Sequence, residues 1–550
     1  MTKLIEVNPG VFGEEAEYKE QVVEEYKGNP FIEALPHIFD KEDVIDKITS
    51  YPAFNENEKM LDSKYRFHIV QRLFQFFQPL GIHLDLEGKI SRLIRQGYIA
   101  RNPVSKQYIQ GLYEGSEMIR KKSIDYSGDK TFSTTAYGLT IIGDSGMGKS
   151  VTVNKIMSLY PQVIIHNQYN GVPFSQYQIT YLKIDCPFDG SIKGISLDFL
   201  IKIDYILGTN YYNSSRNLST NVILPVICQV ARRCGLGMLI IDEIQNISLL
   251  RSGGAEKMLN FFMTLINTIG VPVVLIGTNK AMSVLQSQFR QARRGIGQGT
   301  VFFERIKSKR DVSWKLFMEA LFNYQWVNNP CKLTEEVSGM LYEESQGIFD
   351  IAIKLFVMCQ IRAISINKEE ITPNLIKYIS KENLMLVKPM LDALKTGNIN
   401  KIAQFEDIAP LDISEFISNQ SNQLELNEKI IEMQKVKLKN SKIDYNLQEE
   451  AVLKLLDLDI TPYKAKKTVE KIIDSSTNIL NVNDIVKQAY RMIIETDIKD
   501  PEKIEKQKDS MEYVEHDIRL IVKEGKKNKL SAYQSLLNNG LVKPYLFKSN

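Results

Sequence analysis

Histidine is scarce in this chain and cysteine is scattered. The 550 residues hold five of each. His37, His68, His83, His166 and His516 never cluster, which argues against a histidine-built metal centre. Cys186, Cys228, Cys234, Cys331 and Cys359 are odd in number and form no CxxC pair, which argues against a zinc ribbon or a disulfide framework. Beside apolar neighbours, Cys228 and Cys234 read as buried thiols. An excess of one charge is also lacking: 69 Lys plus Arg face 66 Asp plus Glu, a net of +3. Any surface for a polyanion must then be a local patch. The most hydrophobic stretch, 265–277, contains Asn, Thr, Pro and Gly and is too short to cross a bilayer. Residues 1–20 are broken by Glu6, Pro9, Glu14 and Glu15 and hold no signal-peptide core, so no membrane and a cytoplasmic location are expected.

What is present is an ordinary globular composition, 43% apolar and 25% charged. The length predicts two to four domains. Residues 1–135 read as N-terminal helices and loops, linked to the region that follows and suited to docking a partner. Within them, 26–36 (YKGNPFIEALP) is a docking element or a staple. From Tyr137 the texture changes. Short apolar runs at 139–142, 179–184, 238–241, 271–276 and 300–303 suit strands buried on both faces, with helical patterns between them. Strands alternating with helices predict an α/β core with a parallel sheet over 136–311. Residues 312–400 read as helices only, and 401–550 as a charged helical region of balanced sign with lysine clusters at 435–439 and 526–529.

The first chemical signal is Gly143-Asp144-Ser145-Gly146-Met147-Gly148-Lys149-Ser150, which fits GxxxxGK[ST]. Glycines let the backbone curl its N–H groups around phosphates, and the helix opening at Val151 turns its positive dipole end toward them. Lys149 would reach the β and γ phosphates of ATP, and the Ser150 hydroxyl would ligate Mg²⁺. The second signal is the apolar run 238–241 ending in Asp242 and Glu243. Asp242 is expected to hold Mg²⁺ and Glu243 to polarise the attacking water. A third strand end offers Thr278 or Asn279 to the γ-phosphate or the water, and the residues do not choose between them. Arg290, Arg293 and Arg294 precede the fifth strand. One of them offered to a neighbouring subunit's γ-phosphate would stabilise transition-state charge, although a solvated basic helix end reads equally well.

These pieces in this order, followed by helices, resemble an AAA+ ATPase: a P-loop NTPase core of αβα layers with a five-stranded parallel sheet, an all-helical lid, and helical N- and C-terminal extensions. Within that class the chain resembles the TnsC family of transposition regulators and, more distantly, TniB and IstB-like ATPases. The resemblance spans roughly 26–400. It rests on NPFIEALP (29–36), FQPLG (77–81), ARNP (100–103), YLKIDC (181–186), LIIDEIQNIS (239–248), RSGGAEKMLNFF (251–262), IGVPVVLIGT (269–278), ARRG (292–295) and SQGIFDIAIKLFV (345–357). One departure is plain: where many AAA+ lids carry an arginine three residues after a glycine, Gly347 is followed by Asp350, so either this sensor is absent or Lys354, one turn later, substitutes for it.

The resemblance implies a homo-oligomeric ring or spiral on duplex DNA when ATP is bound. It also implies a target-selector protein on one side and TnsA/TnsB-like transposase subunits on the other. Contacts to DNA would be to phosphates, largely independent of sequence. Ser191 and Lys193, where a helix opens after the second strand, are candidates; Lys183, Arg232, Arg233 and Arg251 are alternatives, and each reads also as a solvated cation. A replication initiator or helicase loader would use the same core, and so would a nucleotide-switched scaffold that binds no DNA. Glu243 argues against the scaffold, and the long extensions argue against a compact loader.

Overall fold

The computed structural model describes residues 3–121, 134–188, 191–249, 262–263, 265–281, 299–396, 413–414, 416–421, 445–456, 458, 460–475 and 481–499. Nine strands are found among them: β1 (Leu4–Asn8), β2 (Val11–Glu15), β3 (Gly138–Gly143), β4 (Val163–Tyr169), β5 (Val172–Ile179), β6 (Leu182–Asp185), β7 (Leu239–Asp242), β8 (Val273–Gly277) and β9 (Thr300–Phe303). Five form one all-parallel sheet in the order β6-β7-β8-β3-β9. Every residue of β3, β7 and β8 is buried, because a parallel strand covered on both faces must be apolar on both.

Alternation along these strands divides the core in two. Leu139, Ile141, Ile240, Val274 and Ile276 face one cluster, shared with helices α1 (Gly81–Ile99) and α3 (Lys149–Met157). Leu239, Ile241, Val273 and Leu275 face the other, shared with α4 (Ile192–Leu207) and α5 (Thr220–Arg233). Helix α2 (Lys106–Lys121) packs on α5. The result is an αβα P-loop NTPase fold. Register pairs Ile142 with Gly277 and Asp185 with Asp242, so the strands deliver their carboxyl ends to one edge. That edge of an open α/β sheet is where ligands bind.

The N-terminal region is not only helices and loops. β1 and β2 form an antiparallel hairpin, and β2 runs parallel to β4 of a second hairpin, β4–β5, to complete a four-stranded sheet. The apolar run 179–184 is likewise two elements. Thr180 N–H donates to Gln162 O (3.0 Å) and Leu182 N–H to Met238 O (2.9 Å), so the chain changes sheets between them. The 26–36 segment is a staple: Phe31, Ile32 and Leu35 are fully buried. Asn29 Nδ2 donates to Tyr98 O (2.7 Å), and Tyr98 Oη donates to Gly235 O (2.7 Å) beside the sheet. Arg66 reaches Glu369 through a bidentate ion pair (2.6 and 2.7 Å) buried at both ends.

After β9 come α6 (Val312–Leu321), α7 (Glu335–Ser345), α8 (Phe349–Ser365), α9 (Pro373–Asn383) and α10 (Lys388–Thr396). Helix α8 is apolar nearly all round and lies at the centre of this group, buried from Ile351 to Ile364 on most sides. Helices α11 (Tyr445–Leu456), α12 (Pro462–Ser475) and α13 (Val482–Lys499) close a separate small core around Leu455, Val469, Ile472 and Ile485. Among the described residues no helix is long and apolar enough to cross a membrane. The lysine clusters at 435–439 and 526–529 lie outside the described residues.

Candidate nucleotide site

The loop from Gly143 to Gly148 joins β3 to α3. A Cβ at Gly143 would stand 2.0 Å from Phe303 O, so only glycine lets β9 pass this close. The contact is used: Asp144 N–H donates to Phe303 O (3.0 Å). Gly148 takes φ +83° as the N-cap of α3, and the first N–H groups of that helix turn into the loop. Lys149 Nζ donates to Gly143 O (2.9 Å) and Asp144 O (2.8 Å), which puts the ammonium over the curl. The Met147 side chain is buried in the core, leaving its main chain as its share of the loop.

Facing the loop is the end of β7. Asp242 is buried; its Oδ1 accepts the Glu243 N–H (2.9 Å), and its Oδ2 pairs with Lys183 Nζ (2.9 Å). Glu243 takes φ +57°, a left-handed conformation that a residue without special constraint avoids. This turn exposes its carboxylate beside the buried aspartate. Gln245, which sequence reasoning missed, donates through Nε2 to Glu243 Oε2 and accepts the Thr278 N–H at Oε1 (3.1 Å). It ties the acid to the neighbouring strand end. The only hint in the sequence was its place two residues after Glu243.

Ser145, Gly148, Lys149, Ser150, Val151, Asp242, Glu243, Gln245 and Thr278 line one cleft of about 140 Å³. Thr278 Oγ1 is buried there without a hydrogen-bond partner among the described residues. An orphaned hydroxyl at the mouth of a loop of N–H donors fits a phosphate oxygen or water as its partner. Ser150 and Asp242 together supply hard oxygen donors suited to Mg²⁺, which takes few protein ligands and keeps phosphate and water for the rest. The residues present therefore fit Mg²⁺ and a nucleotide. Asn279 meets the phosphate loop from the same strand end, its Nδ2 donating to Asp144 Oδ1 (2.9 Å).

Residues 133–285 match the family model for an AAA domain. This part of the chain is similar to AAA domains. No curated protein matches it. Solved structures similar to it include Cdc6p of Pyrobaculum aerophilum, 13% identical with a TM-score of 0.33, covering 73% of this chain and 89% of that one. Another is the Orc1 protein of Aeropyrum pernix in complex with DNA, 12% identical with a TM-score of 0.29, covering 70% and 82%. A third is a Walker-type ATPase of Pyrococcus abyssi, 12% identical with a TM-score of 0.32, covering 56% and 88%.

The other candidate residues fall in several places. Arg251, Arg290, Arg293 and Arg294 lie outside the described residues. Lys183, expected as an alternative contact to DNA, is instead committed to Asp242 and also donates to Asn154 Oδ1 (3.1 Å). Ser191 caps α4 by accepting the Gly194 N–H (2.8 Å), with half-buried Lys193 on the first turn. Arg232 donates to Gly111 O (3.1 Å) on α2, while Arg233 is exposed. Lys354 pairs with Asp350 (2.6 Å), and the Asp350 N–H donates to Gly146 O (3.1 Å), so this lid turn rests directly on the phosphate loop.

Proposed function

We propose that the chain binds ATP with Mg²⁺ and hydrolyses it, and that this cycle regulates DNA transposition. The observation that carries the chemistry is the convergence of Lys149, Ser150, Asp242, Glu243 and Thr278 on one cleft. Lys149 and the N–H groups opening α3 hold the phosphates and favour the charge that develops during transfer. Ser150 and Asp242 would hold Mg²⁺, which when bound neutralises charge on the phosphate oxygens. Glu243, held by Gln245, polarises the attacking water, and Thr278 Oγ1 donates to that water or to the γ-phosphate. Phosphate release from ATP by the wild type, set against Lys149→Ala, tests this; equal rates would overturn it.

The regulatory part of the proposal rests on the resemblance to the TnsC family. It is supported by where two of its strings fall: 29–36 is buried against α1 through the contacts of Asn29 and Phe31 with Tyr98, and 345–357 seats the lid turn on the loop. In this reading ATP-bound copies assemble as a ring or spiral on duplex DNA, with phosphate contacts from the region of Ser191, Lys193 and Arg233. One of Arg290, Arg293 and Arg294 then serves a neighbour's pocket, and the complex links a target selector to the transposase. Electron microscopy with duplex DNA, with and without a non-hydrolysable ATP analogue, tests it. Nucleotide-dependent rings or spirals on DNA are expected, and single subunits under every condition would contradict it. Assemblies that form but fail to stimulate a transposase would favour the replication-type reading instead.

A further inference from the structure

Arg305 lies just after β9, on the connection from the sheet to the lid. Its main-chain N–H donates to Asp144 Oδ2 (2.9 Å), inside the phosphate loop. Its guanidinium donates to Gln346 O (3.1 Å) and Leu394 O (3.3 Å). Both carbonyls belong to lid helices: Gln346 is the C-cap of α7, at φ +53°, and Leu394 is in the last described turn of α10. The Gln346 carbonyl, at a helix end, lies at the negative end of the helix dipole, so a cation is its favoured neighbour. A planar guanidinium can serve two separate carbonyls at once, whereas an ammonium is a point donor.

Neighbouring contacts hold this junction in register. Ile306 N–H donates to Gly347 O (3.2 Å), and a Cβ at Gly347 would stand 2.2 Å from Ile306 O, so the lid turn is pressed against the connection. The other oxygen of Asp144 accepts from Asn279 Nδ2 at the end of β8 (2.9 Å). One carboxylate therefore joins the phosphate loop, a strand end of the site and the lid connection.

We propose that Arg305 is a positioning residue that relays the seating of the phosphate loop, through Asp144, to the ends of α7 and α10, and so sets how the lid closes over bound nucleotide. The inference rests on the nucleotide-binding reading above. A loop that re-forms around phosphates carries Asp144 with it, and Arg305 converts that shift into a movement of two helix ends.

The test is hydrogen exchange of the full-length chain, read on peptides covering Gln346 and Leu394, with and without Mg²⁺ and a non-hydrolysable ATP analogue. Affinity for a fluorescent ATP analogue is measured in parallel. In the wild type, nucleotide should slow exchange in both peptides. Arg305→Ala should bind nucleotide within about threefold of wild type while losing about tenfold of protection at both helix ends, the scale of a charge-assisted hydrogen bond. Arg305→Lys should restore one end only. A merely structural arginine would raise exchange equally with and without nucleotide, leaving the nucleotide-dependent difference intact. That result, or full lid protection in Arg305→Ala, would overturn the relay. If the alanine variant does not fold, the lysine variant decides: an unchanged lid response at both ends contradicts the relay. A wild type that binds no nucleotide would sink the underlying reading instead, so the two failures are told apart.

Discussion

Lys183 on β6 stands 2.9 Å from Asp242 on β7, and the pair sits where the magnesium ligand of the site is expected. Asp242 is buried and Lys183 is about a quarter exposed, so the pair is partly screened. Replacing Lys183 by Met leaves a buried carboxylate without its cation. We expect a loss of about 1–3 kcal/mol, below the usual cost of breaking a fully buried pair because of that exposure. Urea denaturation measures it, and a midpoint equal to wild type would show that Asp242 does not depend on this lysine.

Lys149→Ala should abolish nucleotide binding and nucleotide-dependent DNA binding together. The Lys149 ammonium lies over the loop carbonyls of Gly143 and Asp144, and no other cation lines the cleft among the described residues. Titration with a fluorescent ATP analogue checks this, and unchanged affinity for nucleotide and DNA would remove the phosphate loop from the account.

A further expectation concerns the ion pair between Arg66 and Glu369, which ties the N-terminal region to the lid. Glu369 also accepts the Asn328 N–H (3.0 Å), so removing the arginine leaves a buried acid only partly satisfied. Arg66→Met should cost about 3–5 kcal/mol. Adding Glu369→Gln should recover part of that loss, because the stranded charge goes with it. Thermal or urea unfolding of the two variants decides, and a double variant weaker than the single by the full cost of a second lesion would contradict the pairing.

Stability should fall between pH 7 and pH 5. His83 is stacked between Phe77 and Phe303, and His166 is held between Tyr18 Oη (2.8 Å) and Gln178 Oε1 (2.9 Å). Burial lowers both imidazoles to about 4. The unfolded chain, with histidine near its ordinary 6.5, binds more protons than the folded one between those values. The contribution is complete above pH 6.5 and is lost as pH falls toward 4, on the order of 1–2 kcal/mol per imidazole by pH 5. Urea midpoints at the two pH values measure it. A midpoint that rises on acidification would reverse the sign and refute the burial argument.

The central strands were legible in the sequence because burial on both faces leaves no room for polar residues: GLTIIG, LIID and VVLIG read as they fold. The motif residues were legible because their chemistry requires particular types at particular spacings. β1 and β5 were not, since their exposed positions include Glu6, Ser175 and Tyr177, and Gln176 and Gln178 further dilute any apolar run. Thr180 and Tyr181 look continuous with the strands beside them, and only the pairing of Thr180 with Gln162 and of Leu182 with Met238 reveals the change of sheet. Arg66 with Glu369, and Arg305 with Gln346 and Leu394, join residues far apart in the chain through side-chain polar contacts, for which local pattern carries no signal. Gln245 falls between the two cases: it sits beside a readable acid, but its hold on Thr278 depends on the register of β7 and β8.

The measurement that bears most directly on the central claim is steady-state phosphate release by Glu243→Gln at saturating Mg²⁺ and ATP, with nucleotide binding measured on the same protein. Glutamine keeps the shape of the side chain and leaves Asp242, Lys149 and Thr278 in place, so binding should match wild type. Hydrolysis should fall by about 10²–10⁴-fold, the usual scale for loss of a general base. Wild-type turnover in that variant, or a protein that binds no nucleotide at all, would contradict the account.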